Sequence, residues 1–376
     1  MKSRFACFWL WLALGLLAAL EARAQAGSRG VEFRGWSDFA EWERRFGVAD
    51  EVVLTSPVFA PAFACDELVA SWNADAPENC AVRVEARALY FGRETRFYSL
   101  GQWSLGPAGA RASVPQQKDA DGEVMTDTVV FAEGARRLQL RVTLIPDRAW
   151  KPSLRFVGVT LLNRKASQPS LAPNRSAWGV LLEVPRRSQV DYPGGEQSWC
   201  SPTSLSMVLS FWSRQLKRPE LDQPVPEVAR QVMDPEWPGT GNWSFNTAYA
   251  GSFPKLRACV ARFSDVSEIE DWIQAGVPVV ASVDYDVLRG QPRGRAGGHL
   301  VVVVGFSGAG DPVINDPGTR LETRRTFARS DFARAWATSR HTVYLVHPES
   351  LGAPKDRFGH WYREPSLMEL APAFGR

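Results

Sequence analysis

From residue 31 to about 165 the chain is dominated by short apolar runs and by apolar and polar positions that alternate. Leu138-Gln139-Leu140-Arg141-Val142-Thr143-Leu144 alternates most cleanly, and Val52-Val53-Leu54, Ala81–Arg87 and Asp127–Phe131 are runs of the same β-type. A period of two sends successive side chains to opposite faces of a strand, so these runs predict half-exposed strands. Clusters of turn formers, Gly106–Gly109 and Asp119–Gly122, separate them. Only Phe39–Phe46 reads as helical. The expected architecture for residues 31–165 is an antiparallel β-sandwich.

Residues 166–179 continue a polar stretch that begins near Asn163 and includes Pro169 and Pro173, the composition of a linker. Beyond it the period changes. Leu205, Val208, Leu209 and Trp212 fall at helical spacing, and Met207 and Phe211 cover the opposite side, which predicts a helix over 201–213 buried nearly all round. Ser267 to Gly276 predicts a second helix, with Ser267 and Glu270 in capping-box spacing and Gly276 at the stop. Val277–Val283 and His299–Phe306 are strand-like apolar runs. Residues 180–350 therefore read as an α+β domain, followed by a tail over 351–376. No internal repeat is visible.

The first residues change the cellular picture. Lys2 and Arg4 precede an apolar run of sixteen residues from Phe5 to Leu20, and Ala22-Arg23-Ala24 follows. This is the layout of a secretory signal peptide over 1–24, cut after Ala24. The alternative is an uncleaved anchor, for which the run is short: a helix needs about 20 residues to cross a bilayer core. Loss of Lys2, Arg4, Glu21 and Arg23 would take the formal charge from +3 to +1, a balance that does not point to nucleic acid. The expected product is exported, periplasmic or extracellular, with no stable membrane insertion after cleavage. Export makes Cys65 and Cys80, which share one short segment, candidates for a disulfide. Cys200 and Cys259 are then left over. Cys259 lies on a predicted strand, where inert burial is expected. Cys and His residues show no ligand-type spacing, so neither a metal nor another cofactor is expected.

Cys200 sits at the threshold of the buried helix, where Ser201 or a neighbour can cap and Pro202 suits the first turn. The positive end of a helix favours thiolate over thiol, and thiolate is the nucleophile. The competing reading is a small packing residue. A nucleophile needs a base and a group that orients the base. His299 follows Gly297-Gly298 and opens the strand Leu300–Phe306. After the loop Ser307–Asp311, Pro312–Asn315 returns toward Asp316-Pro317. A hairpin of simple register leaves Asp316 a few residues off His299, so a bulge or bend is required to pair them. His341, His347 and His360 read as surface residues.

Val184-Pro185 through Gln189, Trp199-Cys200-Ser201-Pro202-Thr203-Ser204, Gly297-Gly298-His299 and Asn315-Asp316-Pro317 together resemble, in order, the motifs of the double-glycine-leader cysteine peptidases and their stand-alone papain-like relatives. The resemblance covers about 180–347. It implies a papain-like fold with Cys200 as nucleophile, His299 as base, Asp316 as orienter and Gln189 as oxyanion donor. Two features depart from the family pattern. Gln189 lies eleven residues before Cys200, with Asp191–Glu196 resembling an insertion, and Ser201 replaces the usual glycine. Gln197 is nearer but lacks the motif around it. No transporter segment accompanies these motifs.

The expectation is an exported cysteine hydrolase, a peptidase acting on a peptide or cell-wall-type polymer. An inactive papain-like binding protein and a cell-wall amidase or transferase are the alternatives. Oligomeric state is not legible. Trp72, Tyr98 and Trp103 in the β-rich half suggest either sugar stacking or a core, with the core expected.

Overall fold

A computed structural model describes residues 30–362, apart from 78, 107–110, 168–169 and 295–296. The proposed signal peptide lies outside the described residues. Among the described residues the first half holds eleven strands: β1 Val31–Trp36, β2 Glu43–Phe46, β3 Val52–Thr55, β4 Cys65–Asp75, β5 Ala81–Tyr90, β6 Arg93–Glu94, β7 Tyr98–Trp103, β8 Gly122–Met125, β9 Thr128–Ala135, β10 Leu138–Ile145 and β11 Ser153–Leu162. They form two antiparallel sheets. One runs β1-β11-β4-β9-β8, and the other runs β2-β3-β10-β5-β6 with β7 also paired to β5. Residues of both sheets share one core, in which Trp72, Tyr98 and Trp103 are fully buried. These aromatics therefore pack the interior and are not a sugar-stacking surface.

Phe39–Phe46 is not a helix. Glu43–Phe46 is a strand paired with Val52–Thr55, so cross-strand pairing overrides a weak helical period. Cys65 and Cys80 are both free and buried, and each Sγ lies against a different backbone carbonyl, Glu67 O at 3.1 Å and Trp150 O at 3.2 Å. The sequence expectation of a disulfide fails because the two thiols occupy separate surroundings.

The second half is built on a six-stranded sheet ordered β12-β17-β13-β14-β15-β16. Its strands are β12 Leu256–Arg262, β13 Val279–Asp284, β14 Gly298–Phe306, β15 Pro312–Asn315, β16 Arg324–Thr326 and β17 Thr342–Pro348. Six helices among the described residues accompany it: α1 Cys200–Leu216, α2 Val225–Val232, α3 Trp243–Ser252, α4 Val266–Gln274, α5 Tyr285–Leu288 and α6 Arg329–Ala337. Residues 201–213 of α1 are all buried, which explains why its apolar residues do not keep to one stripe. The helix ends at Lys217 in the left-handed region (φ 54°), whose N–H donates to Ser213 O. The fold is α+β, with the papain-like domain preceded by the two-sheet domain. No described helix is long and apolar enough to cross a membrane.

The two halves are joined by buried hydrogen bonds. Strand β12 is the outer strand of its sheet, and its backbone is bonded by side chains of the first half: Ser71 Oγ accepts from Val260 N–H at 2.8 Å, and Thr160 Oγ1 donates to Val260 O at 2.8 Å. Ten of the eleven residues of β4 are buried, as a strand covered on both faces requires. Arg111, with no exposed surface, donates to Arg230 O and Met233 O at the end of α2, where helix carbonyls lack internal partners. The segment expected to be a linker is docked: Asn174 N–H and Trp178 Nε1 both donate to Glu270.

Glu270 is thereby committed elsewhere and does not close a capping box. Asp265 caps α4 instead, accepting from Ser267 N–H at 2.8 Å. The end of the described chain is also bound. Phe33 N–H donates to His360 O, and Tyr362 N–H donates to Phe33 O at 2.9 Å. His360 is buried between Glu268 Oε1 and Ser264 Oγ, at 3.0 and 2.9 Å. His347 is buried on β17 with its Nδ1 donating to Pro348 O, and His341 is half-buried. None of the three is the surface residue that its position suggested, because each lies on or beside an element that packs between layers.

Candidate active site

Cys200 is the first residue of α1, whose N-cap is Trp199. No side chain caps this end, contrary to the expectation for Ser201. The Ser201 hydroxyl instead lies 3.0 Å from Tyr344 Oη, fully buried. Ser204 Oγ donates to Leu300 O at 3.0 Å, which ties the start of α1 to β14 one residue beyond His299. An uncapped helix start keeps its N–H groups and positive dipole available to an anion.

His299 stands at the start of β14, opposite Val283 of β13. Asp316 follows β15 directly. The β14–β15 register pairs Phe306 with Pro312 and Gly305 with Val313, then shifts so that Val303 faces Ile314 and Val302 faces Asn315. That one-residue shift is the irregularity the sequence required. Beside it, Gly305 lies against the 180–182 segment, which pairs with the end of β14, and a Cβ there would come within 2.2 Å of Val180 O. Beyond the shift, His299 Nε2 donates to Asp316 Oδ1 at 2.8 Å, both side chains being buried.

Asp316 accepts two further hydrogen bonds, from Gly318 N–H to Oδ1 at 2.8 Å and from the Tyr285 hydroxyl to Oδ2 at 3.0 Å. Burial alone would raise the Asp316 carboxyl, but the bond and charge of His299, with Gly318 and Tyr285, hold it below the usual carboxylate range. An ionised Asp316 can only accept, so His299 Nε2 carries a proton and Nδ1 is the ring nitrogen left for the Cys200 thiol, whose charge also raises His299. Burial pushes the half-buried Cys200 thiol up. The hydrogen bond and charge of His299, and the N–H groups of Leu300 and Ser201, more than reverse this. His299 is in turn lowered by burial but raised to about 9 by its bonds to Asp316 and Cys200. The arrangement favours a thiolate beside an imidazolium.

Gln189 is buried against the turn that follows Asp316. Its N–H donates to Pro317 O at 2.9 Å, and Ser188 Oγ donates to the same carbonyl. Its side-chain Nε2 donates to Glu196 O at 2.7 Å, while Oε1 is buried without a hydrogen-bond partner. The long interval to Cys200 is taken up by tight turns, in which Gly195 N–H donates to Tyr192 O and Trp199 N–H to Gly195 O. Trp199 covers Gly195 so closely that a Cβ there would meet its ring at 2.3 Å. Gln197 is exposed on this loop. Thr240 Oγ1 donates to Ser198 O and braces the loop from α3's side.

The structure thus brings together Cys200, His299, Asp316 and the Gln189 segment. Cys259 lies apart, buried on β12, where burial pushes its thiol up to about 12. Tyr285 is the site residue that the sequence reading missed. The pairing of β13 with β14 sets Asp284 opposite Gly298, so recognising those two runs as neighbours would have placed the next residue beside His299. No group of three or more His, Cys, Asp or Glu side chains among the described residues is arranged to hold a metal ion.

The family model for the peptidase C39 N-terminal domain matches residues 25–161, and that for the peptidase C39 like family matches residues 181–344. Among solved structures the chain is similar to one described as a C39-like peptidase from Bacillus anthracis, with 17% identity and a TM-score of 0.34, over 45% of this chain and 96% of that one. No curated protein matches. The two family models lie end to end over most of the sequence, each on the half whose fold and motifs correspond to it: the chain belongs to the C39-like cysteine peptidase family.

Proposed function

We propose that this protein is an exported cysteine peptidase that cleaves amide bonds with Cys200, His299 and Asp316. The observation that carries the reading is the buried hydrogen bond from His299 to the Asp316 carboxylate, beside a Cys200 thiol that His299 holds below its usual range. The thiolate attacks the carbonyl carbon, and the carbonyl electron pair moves onto oxygen. Gln189 Nε2 has a second hydrogen beyond the one given to Glu196 O, and with a backbone N–H at the start of α1 it stabilises that oxyanion. The imidazolium gives its proton to the leaving amine as the C–N bond breaks. Water then attacks the thioester, returning a proton to His299 and releasing the acid.

Export rests on the leader at residues 1–24, and the substrate class is a peptide or a peptide-bearing wall polymer. The test pairs two measurements on the mature protein: alkylation of Cys200 against pH, and turnover of a peptide library. Rapid alkylation at mildly acidic pH that is lost in His299→Ala, together with peptide cleavage lost in Cys200→Ala, supports the proposal. A thiol that reacts only near its ordinary pKa of about 8.5, alike in both proteins, would sink it.

A further inference from the structure

We infer that Tyr285 is a positioning residue of this site: its hydroxyl fixes the Asp316 carboxylate while its ring fixes the His299 imidazole. The inference rests on the reading of Cys200, His299 and Asp316 as the reacting set, and it adds a fourth member that touches neither sulfur nor substrate.

Three independent contacts support it. The hydroxyl donates to Asp316 Oδ2, the oxygen that His299 does not use. A carboxylate held at one oxygen only can swing about its Cα–Cβ and Cβ–Cγ bonds, and holding both oxygens removes that freedom. The ring centroid lies 4.2 Å from that of His299 with the planes inclined by 38°, close enough to limit tilting of the imidazole and to keep water off one face of it. Finally, the turn after Asp316 is cut to admit the hydroxyl. A Cβ at Gly318 would lie 2.8 Å from Tyr285 Oη and 3.2 Å from His299 Cε1. Glycine at 318 thus both supplies its own N–H to Asp316 and leaves room for a second donor.

Tyr285 is itself anchored. Asp284 ends β13 and caps α5, its Oδ1 accepting from Asp286 N–H and Val287 N–H at 3.1 Å. The Arg289 guanidinium lies over the Tyr285 ring, 4.2 Å from its centroid, and Arg289 Nε donates to Tyr285 O. Burial and the neighbouring Asp316 push the phenol up to about 12, so the hydroxyl remains a donor wherever the thiolate pair exists. The elements that reach the His–Asp pair therefore come from three places in the chain: β14, the turn after β15, and α5.

The test is Tyr285→Phe, which keeps the ring and removes only the hydroxyl, beside Tyr285→Leu, which removes both. A donor to a carboxylate favours its charged form. Without it Asp316 takes up a proton at higher pH, so the acid limb of kcat/KM moves upward. In Tyr285→Phe kcat falls about tenfold while KM stays within about twofold, the loss expected for one hydrogen bond to a charged group. The Nε2–H proton of His299, observed by NMR with labelled histidine, exchanges faster in Phe and is broadened away in Leu. A merely structural tyrosine would lower activity in proportion to the folded fraction and leave both the pH limb and the proton resonance where they were. Tyr285→Phe with unchanged kcat, acid limb and resonance overturns the inference. If the wild-type protein proves inactive on every peptide, the proposed function fails, but the resonance still decides the positioning: faster exchange in Tyr285→Phe and loss in Tyr285→Leu support it, and an unchanged resonance in both overturns it.

Discussion

The side-chain amide of Asn73 makes with Ala258 the two hydrogen bonds that a neighbouring strand would make: Asn73 Nδ2 donates to Ala258 O at 2.7 Å, and Ala258 N–H donates to Asn73 Oδ1 at 3.1 Å. Ser71 and Thr160 do the same for Val260, two residues on. An outer strand with bare N–H and C=O groups is a template for pairing with other chains. Here the first half covers that strand with side chains rather than with a further strand.

Asn73→Ala therefore leaves a buried N–H and a buried C=O without partners. Each unsatisfied group costs about 1–3 kcal/mol, so urea unfolding should show the variant destabilised by roughly 3 kcal/mol. Gly251 approaches so closely that a Cβ there would meet Asn73 Nδ2 at 2.1 Å, which leaves little room for water to replace the amide. A change below about 0.5 kcal/mol, the range of ordinary surface substitutions, would show that these bonds do not hold the halves together.

The site's dependence on pH follows from its charges. His299 is held protonated up to about 9, against burial, by Asp316 and Cys200, and Cys200 is held ionised below its usual range chiefly by His299. The reactive ion pair exists between those two titrations. In Asp316→Asn the imidazolium loses its carboxylate, so the alkaline limb of kcat/KM moves down from about 9. A weaker imidazolium stabilises the thiolate less, so the acid limb moves up. The expected profile narrows from both sides, and the pH dependence of iodoacetamide labelling should narrow with it. A profile of unchanged width in Asp316→Asn would deny Asp316 its role.

Much of this was legible in the sequence for physical reasons, and some was not. Leu138–Leu144 and the buried residues of α1 announced themselves because period and burial are linked directly. The need for an irregular hairpin between His299 and Asp316 followed from counting register. What the sequence could not show depended on contacts distant in the chain. Glu270 stands at capping-box spacing from Ser267, yet it serves the 174–178 segment and Arg329. His360, near the end of the described chain, is buried because it joins Glu268 and Ser264. Tyr285 was overlooked because nothing in its local pattern marks it; only the pairing of β13 with β14 brings it to His299.

The thiols differ enough to be counted separately. Cys65 and Cys259 are buried and their thiols are pushed up by desolvation, Cys259 to about 12. Cys80 is raised as well, chiefly by burial. Of the four described thiols, Cys200 alone is lowered. A thiol reagent at pH 7 should modify one cysteine in the native protein, identified as Cys200 by peptide mapping. After denaturation without reductant, the mature protein, which loses Cys7 with the proposed leader, should be modified at all four of Cys65, Cys80, Cys200 and Cys259. Two rather than four on denaturation would mean that Cys65 and Cys80 are joined after all.

Gln189 allows attack and oxyanion stabilisation to be separated. Its backbone is bonded to Pro317 and its side chain to Glu196, so the residue both links the turn after Asp316 to the loop before Cys200 and presents a donor. Neither contact is among the groups that ionise the Cys200 thiol. Gln189→Ala should consequently leave the rate and pH dependence of Cys200 alkylation close to those of the wild type, because alkylation at an sp³ carbon develops no oxyanion. Peptide hydrolysis does develop one, and loss of a side-chain donor costs about 10²–10³ in kcat. The expected signature is a large fall in kcat at nearly constant labelling rate and nearly constant KM. Equal falls in labelling and hydrolysis would assign Gln189 to holding the 190–199 loop in place. An unaffected kcat would leave oxyanion stabilisation to the backbone N–H groups at the start of α1, where an uncapped helix already offers them.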